Sequence, residues 1–525
     1  MNIEQLVGQK LLFAFRGKES LSPEIIQAFQ KYHPSGITLF RPFNMDNPAQ
    51  IKKLNQSLQD LARELGLPLL LIATDQEGGQ LMAFGDGTPL PGNMALGATR
   101  SPELAKKAGE VLGRELAAVG INVNYAPCAD VNINPKNPVV GVRSFGEDPA
   151  LVGELAAAMI EGIQSQGVAA TVKHFPGHGD TASDSHHGLG TVPHSRERLH
   201  AVELPPFRSA LQADAKLVMT AHLGILSIDG EDAPPATLSS NIIHGLLRQD
   251  LGFTGVVITD AMDMHAIRQG ELLREDALRA AQAGADILLM TTDPQDQARA
   301  FESLVRGTQN GQLSQENLQD SVDRILQLKN WLQEHATTPD LSVIQCAEHM
   351  QVANEIAEKS ITLVRNEKNH LPLKLDAEKR IAVIIPVPQD LTPADTSSYI
   401  QPKLAESIRA YHAQTDEFKI PFAPSADETA KVLEQMQAYD VIVMGSINAY
   451  AEEKQAEFIR RLLKLGKPVI NIALRLPYDL AAFPEASTYV CTYSILEPSM
   501  RAVAKAVFGH SVMTGHLPVS IPGLE

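Results

Sequence analysis

Short apolar segments alternate with helical patterns over about the first 300 residues of the chain. Seven nearly continuous apolar runs end in polar residues, at 36–40, 69–75, 121–127, 169–177, 215–222, 255–260 and 285–292. Runs of this kind indicate strands that are buried on both faces. Helical patterns lie between them, for example over 102–119, 150–166 and 272–284. The alternation predicts an α/β fold of the TIM-type (β/α)8 barrel class.

A second series of strands and helices follows a change of pattern near residues 335–360. The segment 334–342 has the composition of a linker, and 343–359 has a helical pattern. Apolar runs then recur at 380–387, 439–447, 468–475 and 487–494. They predict a smaller, mostly parallel αβα sandwich. We therefore divide the chain into a barrel (1–335), a linker and helix (336–360) and a C-terminal sandwich domain (361–525).

Composition narrows the class of partner. Acidic residues outnumber basic ones by 62 to 45, for a formal net charge of −17, which argues against nucleic acid or an anionic membrane. The three cysteines, at positions 128, 346 and 491, suggest neither a disulfide framework nor a cysteine-based zinc site. Acidic Glu4 precedes a short, interrupted apolar stretch, and no apolar run could span a bilayer. We therefore expect a cytoplasmic protein.

Polar side chains recur at the carboxyl ends of the predicted barrel strands. They are Asp75, Lys173, His174, His222 and Asp260. In a parallel barrel the carboxyl ends of the strands form the face where chemistry takes place. An aspartate often simply closes a strand, but several strands that end in this way indicate a shared site.

The segment 173–188 (KHFPGHGDTASDSHHG) contains four histidines and two aspartates. His174 and His178 are four residues apart, which on a helix would suit a metal ion. The Phe-Pro-Gly sequence between them makes a helix improbable, so we expect a polar catalytic loop without a metal. Asp184 and His186 are two residues apart and face the same way in an extended chain. A carboxylate beside an imidazole produces a competent proton shuttle near neutral pH.

Asp260 supplies the second half of a hydrolytic site. It ends the buried run VVITD, where a short carboxylate is held rigidly. A retaining glycosidase needs a carboxylate that attacks the anomeric carbon and a proton donor for the leaving oxygen. Here the donor would be a histidine instead of the usual second carboxylic acid. Asp263 is near in sequence, but we expect it to point elsewhere from the following turn or helix.

Several separated motifs resemble glycoside hydrolase family 3, over nearly the whole chain. KHFPGHG followed by Asp-Ser-His is similar to the signature of the β-N-acetylglucosaminidase branch of that family. The other matching segments are GITLF (36–40), DQEGG (75–79), NYAPCADVN (124–132), GVRSFGEDP (141–149), VMTAH (218–222) and GFTGVVITDAMDM (252–264). SITLVRN, TYSILEPS and GHLPVSIP extend the resemblance into the second domain.

The resemblance implies a role for nine residues. It implies that Asp260 is the nucleophile and that Asp184 and His186 form the acid/base pair. It further implies that Asp75, Arg143, Lys173 and His174 hold the sugar, with Met219 and His222 lining the same pocket. From the residues alone, a salt bridge within its own loop is the alternative reading of Arg143.

The resemblance implies a retaining exo-glycosidase that removes terminal, non-reducing β-N-acetylglucosamine without a metal or organic cofactor. Muropeptides of cell-wall recycling and chitooligosaccharides are the implied substrates. Three alternatives stay open: a phosphorylase, because neutral imidazole repels phosphate less than a carboxylate does; a β-glucosidase or β-xylosidase of the same family; and a non-catalytic sugar-binding protein.

One position departs from the family pattern. The family commonly has arginine after DQEGG, whereas this chain has Gln80. An arginine there would support the pocket or approach substrate, so the substitution affects the details of sugar recognition. In the second domain Glu497 is the most suggestive carboxylate, yet its position in TYSILEPS is typical of packing at a strand end. We interpret this domain as structural or as a wall of the cleft.

Overall fold

The computed structural model describes residues 1–181 and 188–524. Its first part is a nearly closed barrel of parallel strands, which confirms the predicted (β/α)8 class. The strands pair in chain order from β1 to β7, and β8 returns beside β1. A bridge between Ile258 and Ile287 brings the two ends of the sheet together. The barrel strands are β1 (Leu11–Phe13), β2 (Gly36–Thr38), β3 (Leu71–Thr74), β4 (Val123–Asn124), β5 (Ala169–Phe175), β6 (Leu217–Thr220), β7 (Val256–Thr259) and β8 (Leu288–Leu289).

Each barrel strand is followed by a helix that packs on the outside. These helices span Pro23–Tyr32, Pro48–Glu64, Pro102–Ala118, Pro149–Gln164, Pro205–Gln212, Asn241–Asp250, Leu273–Ala283 and Pro294–Gln309. Shorter helices span Ile3–Gln9, Arg41–Asn44, Asn93–Thr99, Arg196–Arg198 and Leu226–Asp229, and a long helix, Gln315–Glu334, follows the barrel.

Five of the outer helices begin with the same local device. Their first helical residue is proline, whose missing N–H would be unpaired there in any case. The preceding residue caps the helix by accepting a backbone N–H with its side chain. The capping residues are Ser22, Asn47, Ser101, Asp148 and Asp293.

The barrel interior is filled by apolar side chains and not by a pore. Inward-facing residues of the strands, among them Leu12, Leu71 and Val256, form one buried cluster. The long helix Gln315–Glu334 adds Ile325 and Leu328 to the same cluster, and so covers one end of the barrel. The polar residues lie at the opposite end of the barrel, where the strands finish.

The seven predicted runs omit the first strand of the barrel. Leu11–Phe13 is completely buried and pairs with both β2 and β8, so it is needed to close the sheet. It is only three residues long and follows the helix Ile3–Gln9 after a single residue. With no turn signal between the two elements, the apolar pattern does not separate them.

The second part of the chain is a six-stranded sheet between two helical layers. Its order is β9-β14-β13-β12-β10-β11, with β9 antiparallel to β14 and the other pairs parallel. The strands are β9 (Thr362–Asn366), β10 (Ile381–Pro386), β11 (Thr415–Ile420), β12 (Val441–Ser446), β13 (Val469–Ala473) and β14 (Thr488–Cys491). The helices of this part span Ala347–Ser360, Leu404–Arg409, Ala426–Gln435, Glu453–Leu463 and Glu497–Val507.

Alternate residues of the central strands face opposite layers, as a three-layer sandwich requires. Ile384 and Met444 pack in the same cluster as Phe458 of one helical layer. Val383 and Val443 belong to the cluster on the other side of the sheet. The edge strand β11 is absent from the predicted apolar runs because four of its six residues are not buried.

Among the described residues, no helix is both long enough and apolar enough to cross a lipid bilayer.

Candidate active site

A cavity of about 500 Å³ opens at the carboxyl ends of the barrel strands. Strands β3 to β7 and the loops that follow them contribute to its wall, as expected for the functional face of a barrel. Six of the nine residues with a role predicted from the sequence line this cavity: Asp75, Arg143, Lys173, His174, Met219 and Asp260.

Two of the cavity cations converge on Glu77, which the sequence reasoning did not single out. Glu77 Oε1 accepts hydrogen bonds from Arg143 Nη2 and from Lys173 Nζ, both at 2.7 Å, and its Oε2 accepts one from Arg143 Nε at 3.0 Å. Lys173 Nζ also donates to Asp75 Oδ1 at 2.6 Å. The Glu77 side chain is 1% exposed, whereas that of Asp75 is 26% exposed. Glu77 is therefore the buried carboxylate that holds both cations, whereas Asp75 is the carboxylate that is accessible from the cavity.

Burial and charge act in opposite directions in this cluster. Burial alone would raise the pKa of Glu77, but Arg143 and Lys173 outweigh it and hold this pKa at about 2. For the cation Arg143 the signs are reversed: burial lowers its pKa, but the Glu77 carboxylate outweighs burial and raises it. The pKa of Lys173 is also raised, because Asp75 and Glu77 together outweigh burial. Both cations thus remain charged, and their ion pairs fix their positions at the cavity wall.

His174 is held by a second buried carboxylate, Asp130. His174 Nδ1 lies 2.8 Å from Asp130 Oδ2, and Asp130 Oδ1 accepts the backbone N–H of His178 at 2.6 Å. Burial works to raise the pKa of Asp130, but His174 and His178 outweigh it and lower this pKa. The ionised Asp130 carboxylate can only accept a hydrogen bond, so His174 Nδ1 is the donor in this contact. The other ring nitrogen of His174, Nε2, is then available for contacts in the cavity. Asp130 lies inside the motif NYAPCADVN, and this position was the one sequence signal that could have identified it as a site residue.

The histidines at 174 and 178 do not share a helix. His174 lies in β5 (Ala169–Phe175), and the chain turns after it, which confirms that this segment is not helical. Burial lowers the pKa of His178 to about 4, so its ring is neutral at ordinary pH. In β5 the pairing with β6 shifts between Val172 and Phe175, and both Lys173 and His174 face the cavity.

Asp260 and Met219 come from the neighbouring strands β7 and β6. Asp260 directly follows β7, and its backbone N–H donates to the carbonyl of Thr220 at 3.2 Å. Its Oδ1 accepts the N–H of Ala261 at 2.7 Å, which orients the carboxylate. Met219 adds an apolar patch to the same wall.

His222 differs from the expectation that it lines the pocket. It is 1% exposed and is not among the lining residues. Its Nε2 lies 3.0 Å from the carbonyl oxygen of Ala261, and its Nδ1 lies 2.8 Å from Thr237 Oγ1. The ring therefore lies behind the lining residues and contacts the residue after Asp260.

Asp263 also differs from its expectation. It does lie in the turn after β7, but it lines the cavity instead of pointing elsewhere. Burial raises the pKa of its carboxyl. Glu497, by contrast, starts a helix of the second domain, where Lys403 Nζ lies 2.8 Å from its Oε2. It is not among the cavity residues.

Asp184 and His186, the predicted acid/base pair, lie outside the described residues. The described flanks of their segment are well held. Thr181 Oγ1 lies 2.9 Å from Nδ1 of the cavity residue His178. On the other side Gly190–Val192 pairs with Leu223–Ile225, directly after His222. A hydrogen bond of 2.7 Å between Asp180 and His194 joins the two flanks.

Two groups of described side chains have the spacing of metal ligands. Cys128, Asp130 and His174 form one group, but both Asp130 oxygens already accept hydrogen bonds. Asp180, His194 and Glu203 form the other. There Arg198 donates to both Glu203 oxygens, at 2.6 and 2.8 Å, and so supplies the positive charge. In neither group does the donor chemistry call for an ion.

Sequence reasoning also missed other residues of the cavity wall. Arg16, Arg41 and Tyr125 line the cavity, together with Pro393 and Ala394 from the second domain. No motif pointed to the last two residues, because their approach depends on how the domains pack. For Arg143 the observed ion pair joins the loops after β3 and β4, unlike the alternative of a salt bridge within one loop.

Comparisons with known proteins agree along the whole chain. The family model described as glycosyl hydrolase family 3 N terminal domain matches residues 3–328, and the C-terminal domain model of the same family matches 361–525. Beta-hexosaminidase A of Pseudoalteromonas piscicida is 31% identical over 99% of this chain and 97% of its own length.

Two solved structures are similar over nearly the full length. A glycoside hydrolase family 3 beta-N-acetylglucosaminidase from Paenibacillus sp. str. FPU-7 has a TM-score of 0.94 and 38% identity, with 100% of both chains covered. A beta-glucoside phosphorylase has a TM-score of 0.85 and 25% identity, covering 99% of this chain and 94% of its own.

Proposed function

Because the chain belongs to glycosyl hydrolase family 3 and is a glycoside hydrolase, we propose that it removes terminal, non-reducing β-linked N-acetylglucosamine with retention of configuration. The specificity is supported by the relative named as a beta-hexosaminidase and by the similar beta-N-acetylglucosaminidase structure. The observation that carries the proposal is the Asp260 carboxylate facing one cavity with Asp75, Lys173 and His174.

Asp260 is the proposed nucleophile. Its carboxylate attacks the anomeric carbon and forms a glycosyl-enzyme, which water then hydrolyses. The N–H of Ala261 holds one carboxylate oxygen, and the end of β7 restricts the rest of the residue. A short, rigidly held carboxylate suits this step because little reorganisation precedes attack.

Asp75, Arg143, Lys173 and His174 are the proposed sugar-binding residues. The exposed carboxylate of Asp75 accepts hydrogen bonds from hydroxyls, and the two cations donate them. Glu77 and Asp130 fix the donors from behind. N-acetylglucosaminides such as muropeptides or chitooligosaccharides are the proposed substrates.

Asp184 and His186 are the proposed acid/base pair. His186, protonated and paired with Asp184, donates to the glycosidic oxygen and later accepts a proton from the attacking water. The position of the flanking residues supports this role, since His178 lines the cavity and Gly190–Val192 pairs beside His222. The proposed reaction uses side chains of the chain alone.

The nucleophile is tested with Asp260→Ala on aryl glycosides of N-acetylglucosamine, glucose, xylose and N-acetylgalactosamine. We expect the wild type to prefer the N-acetylglucosaminide and kcat to fall by about a thousandfold or more in the variant. Asp323→Ala, at an exposed helix position, is the matched control and keeps wild-type rates. Nuclear magnetic resonance identifies the anomer released first, which is β if configuration is retained. Near-native activity of Asp260→Ala would refute the assignment.

The acid role is tested in the same assay by changing the leaving group. Loss of the proton donor matters most when the leaving oxygen is strongly basic. His186→Ala should therefore slow poor leaving groups much more than activated aryl groups. An equal loss on both would contradict the acid role.

Phosphorolysis is the second candidate. It is favoured by the similarity to a beta-glucoside phosphorylase and by the guanidinium groups of Arg16 and Arg41 in the cavity wall. Adding inorganic phosphate to the assay and measuring sugar 1-phosphate separates the two reactions. Release of the free sugar, unchanged by phosphate, is the result expected for a hydrolase.

A further inference from the structure

One wall of the cavity comes from the second domain. Pro393 and Ala394 lie in the loop after β10 and line the same cavity as Asp75 and Asp260. We propose that Gln80, Asp395 and Arg475 are positioning residues that hold this loop against the barrel and so determine how tightly the sugar is bound. The inference rests on the proposed function only in taking this cavity as the sugar site.

Asp395 ties the loop to itself. Its carboxylate is completely buried, and it accepts the backbone N–H of Leu391 at 3.1 Å and that of Ser397 at 2.9 Å. Arg475, which follows β13, donates from Nη1 to Asp395 Oδ2 at 2.8 Å. The arginine thus neutralises a carboxylate whose charge would otherwise be buried without a partner, and this makes the loop conformation depend on it.

Gln80 joins this unit to the barrel. Arg475 Nη2 donates to Gln80 Oε1, and Gln80 Nε2 donates to the carbonyl of Ala394 at 3.1 Å. The backbone carbonyl of Gln80 accepts both the N–H and the hydroxyl of Thr396, each at 2.9 Å. One side chain of the barrel therefore holds a residue that lines the cavity.

The contacts of position 80 suit glutamine and do not suit arginine. An amide offers an acceptor to Arg475 and a donor to Ala394 at the same time. An arginine at position 80 would have no acceptor and would face a second guanidinium. Glutamine at 80 and arginine at 475 therefore form a matched pair across the domain interface.

The same hairpin also carries the sugar-binding cluster. Gln80 lies between the short strands Gln76–Gly78 and Leu81–Met82, and Glu77 is in the first of them. Glu77 is the residue on which Arg143 and Lys173 converge. A displacement of the loop at Ala394 would thus alter both the wall of the cavity and the support of its cations.

The test compares Arg475→Ala, Gln80→Ala and the double variant on whichever aryl glycoside the wild type cleaves. We expect KM to rise about tenfold in each single variant while kcat changes less, because a charge-assisted contact is lost away from the reacting atoms. The double variant should be little worse than the more affected single one, since both substitutions release the same loop. Arg460→Ala, a second-domain arginine bonded to the carbonyl of Ala482, is the control and keeps the wild-type KM.

Calorimetric titration with the released monosaccharide gives a binding measurement independent of catalysis, and thermal unfolding shows which variants fold. If Arg475→Ala does not fold, Gln80→Ala alone still decides, because Gln80 makes the barrel-side contact. A folded variant with wild-type KM and sugar affinity would overturn the inference, as would single effects that multiply in the double variant. Failure of the wild type to cleave an N-acetylglucosaminide would instead refute the proposed function, and it would leave these ratios measurable on another substrate.

Discussion

At the scale of single residues, the cavity depends on carboxylates that are not among its lining residues. Glu77 and Asp130 are buried, and each holds the groups that face the cavity. In the proposed function, the positions of these donors and acceptors decide how well the hydroxyl and amide groups of the sugar are bound. The buried carboxylates fix these positions before the sugar arrives.

Glu77→Gln tests this arrangement. The substitution leaves Arg143 and Lys173 without their shared buried anion, so we expect a loss of about 3 to 5 kcal/mol in the free energy of unfolding. We also expect a higher KM, because the two cations are no longer fixed. Chemical denaturation and steady-state kinetics measure the two effects. Glu103→Gln, whose side chain is 76% exposed, is the control and should change neither. An unaltered stability of Glu77→Gln would mean that the ion pairs contribute nothing.

The same substitution has a defined dependence on pH. The folded pKa of Glu77 is about 2, below the ordinary value of 4.5, so its contribution to stability is present above about pH 4.5. It is lost as the pH falls toward 2. The difference in unfolding free energy between wild type and Glu77→Gln should therefore shrink between pH 5 and pH 3.

At the scale of elements, the loop after β5 contains two glycines that other residues could not replace without strain. Gly177 has φ of +129°, a conformation that side chains rarely adopt, whereas Gly179 is needed for space. A Cβ at position 179 would overlap the carbonyl oxygen of Val131. On the far flank, Gly188 has open space around it. The backbone at position 179 is thus fixed by its contact with Val131.

Gly179→Ala is therefore expected to be more harmful than Gly188→Ala. Displacing the backbone at 179 would shift the residues that lead to the proposed acid/base pair. A displacement of about 1 Å can reduce kcat by about a hundredfold. The loss should be larger on poor leaving groups, since proton donation is the affected step. Gly188→Ala is the control, with kcat close to that of the wild type. Equal kinetics of the two variants would contradict the assignment of the restriction to position 179.

At the scale of the whole molecule, the end of the barrel away from the cavity contains buried lysines. Lys329, in the long helix Gln315–Glu334, is 2% exposed, and its Nζ donates to Gln9 Oε1 at 2.7 Å. Burial lowers its pKa to about 7. Lys10 has a pKa lowered to about 8, again mainly by burial. The end of the barrel opposite the cavity thus contains two buried amines whose charge depends on pH.

Lys329→Met should stabilise the protein, and more so at low pH. Because the folded pKa is below the unfolded value of 10.5, the unfolded chain binds more protons, and the penalty is fully present below about pH 7. It is relieved as the pH rises toward 10.5. The gain in unfolding free energy should be at least about 1 kcal/mol at pH 6 and smaller at pH 9.5. Lys53→Met, at an exposed position, is the control. A gain that does not depend on pH would refute this explanation.

The sequence determined the architecture and six of the residues that line the cavity. Nearly continuous apolar runs can be satisfied only by strands buried on both faces, and a parallel barrel gathers the residues at their carboxyl ends. Asp75, Lys173, His174 and Asp260 were identified in this way. Short strands such as Leu11–Phe13, and polar edge strands such as Thr415–Ile420, carry too little periodic signal to be separated from their surroundings.

Tertiary structure alone decided which polar residues share a contact. Glu77 and Arg143 are 66 positions apart, and Gln80 and Arg475 are 395 positions apart. Their pairing follows from the packing of loops and domains, which local patterns do not encode. The same packing moved His222 behind the wall and Asp263 into it. Hydrophobic periodicity is a local property of the chain, whereas the pairing of buried charges depends on distances set by the complete fold.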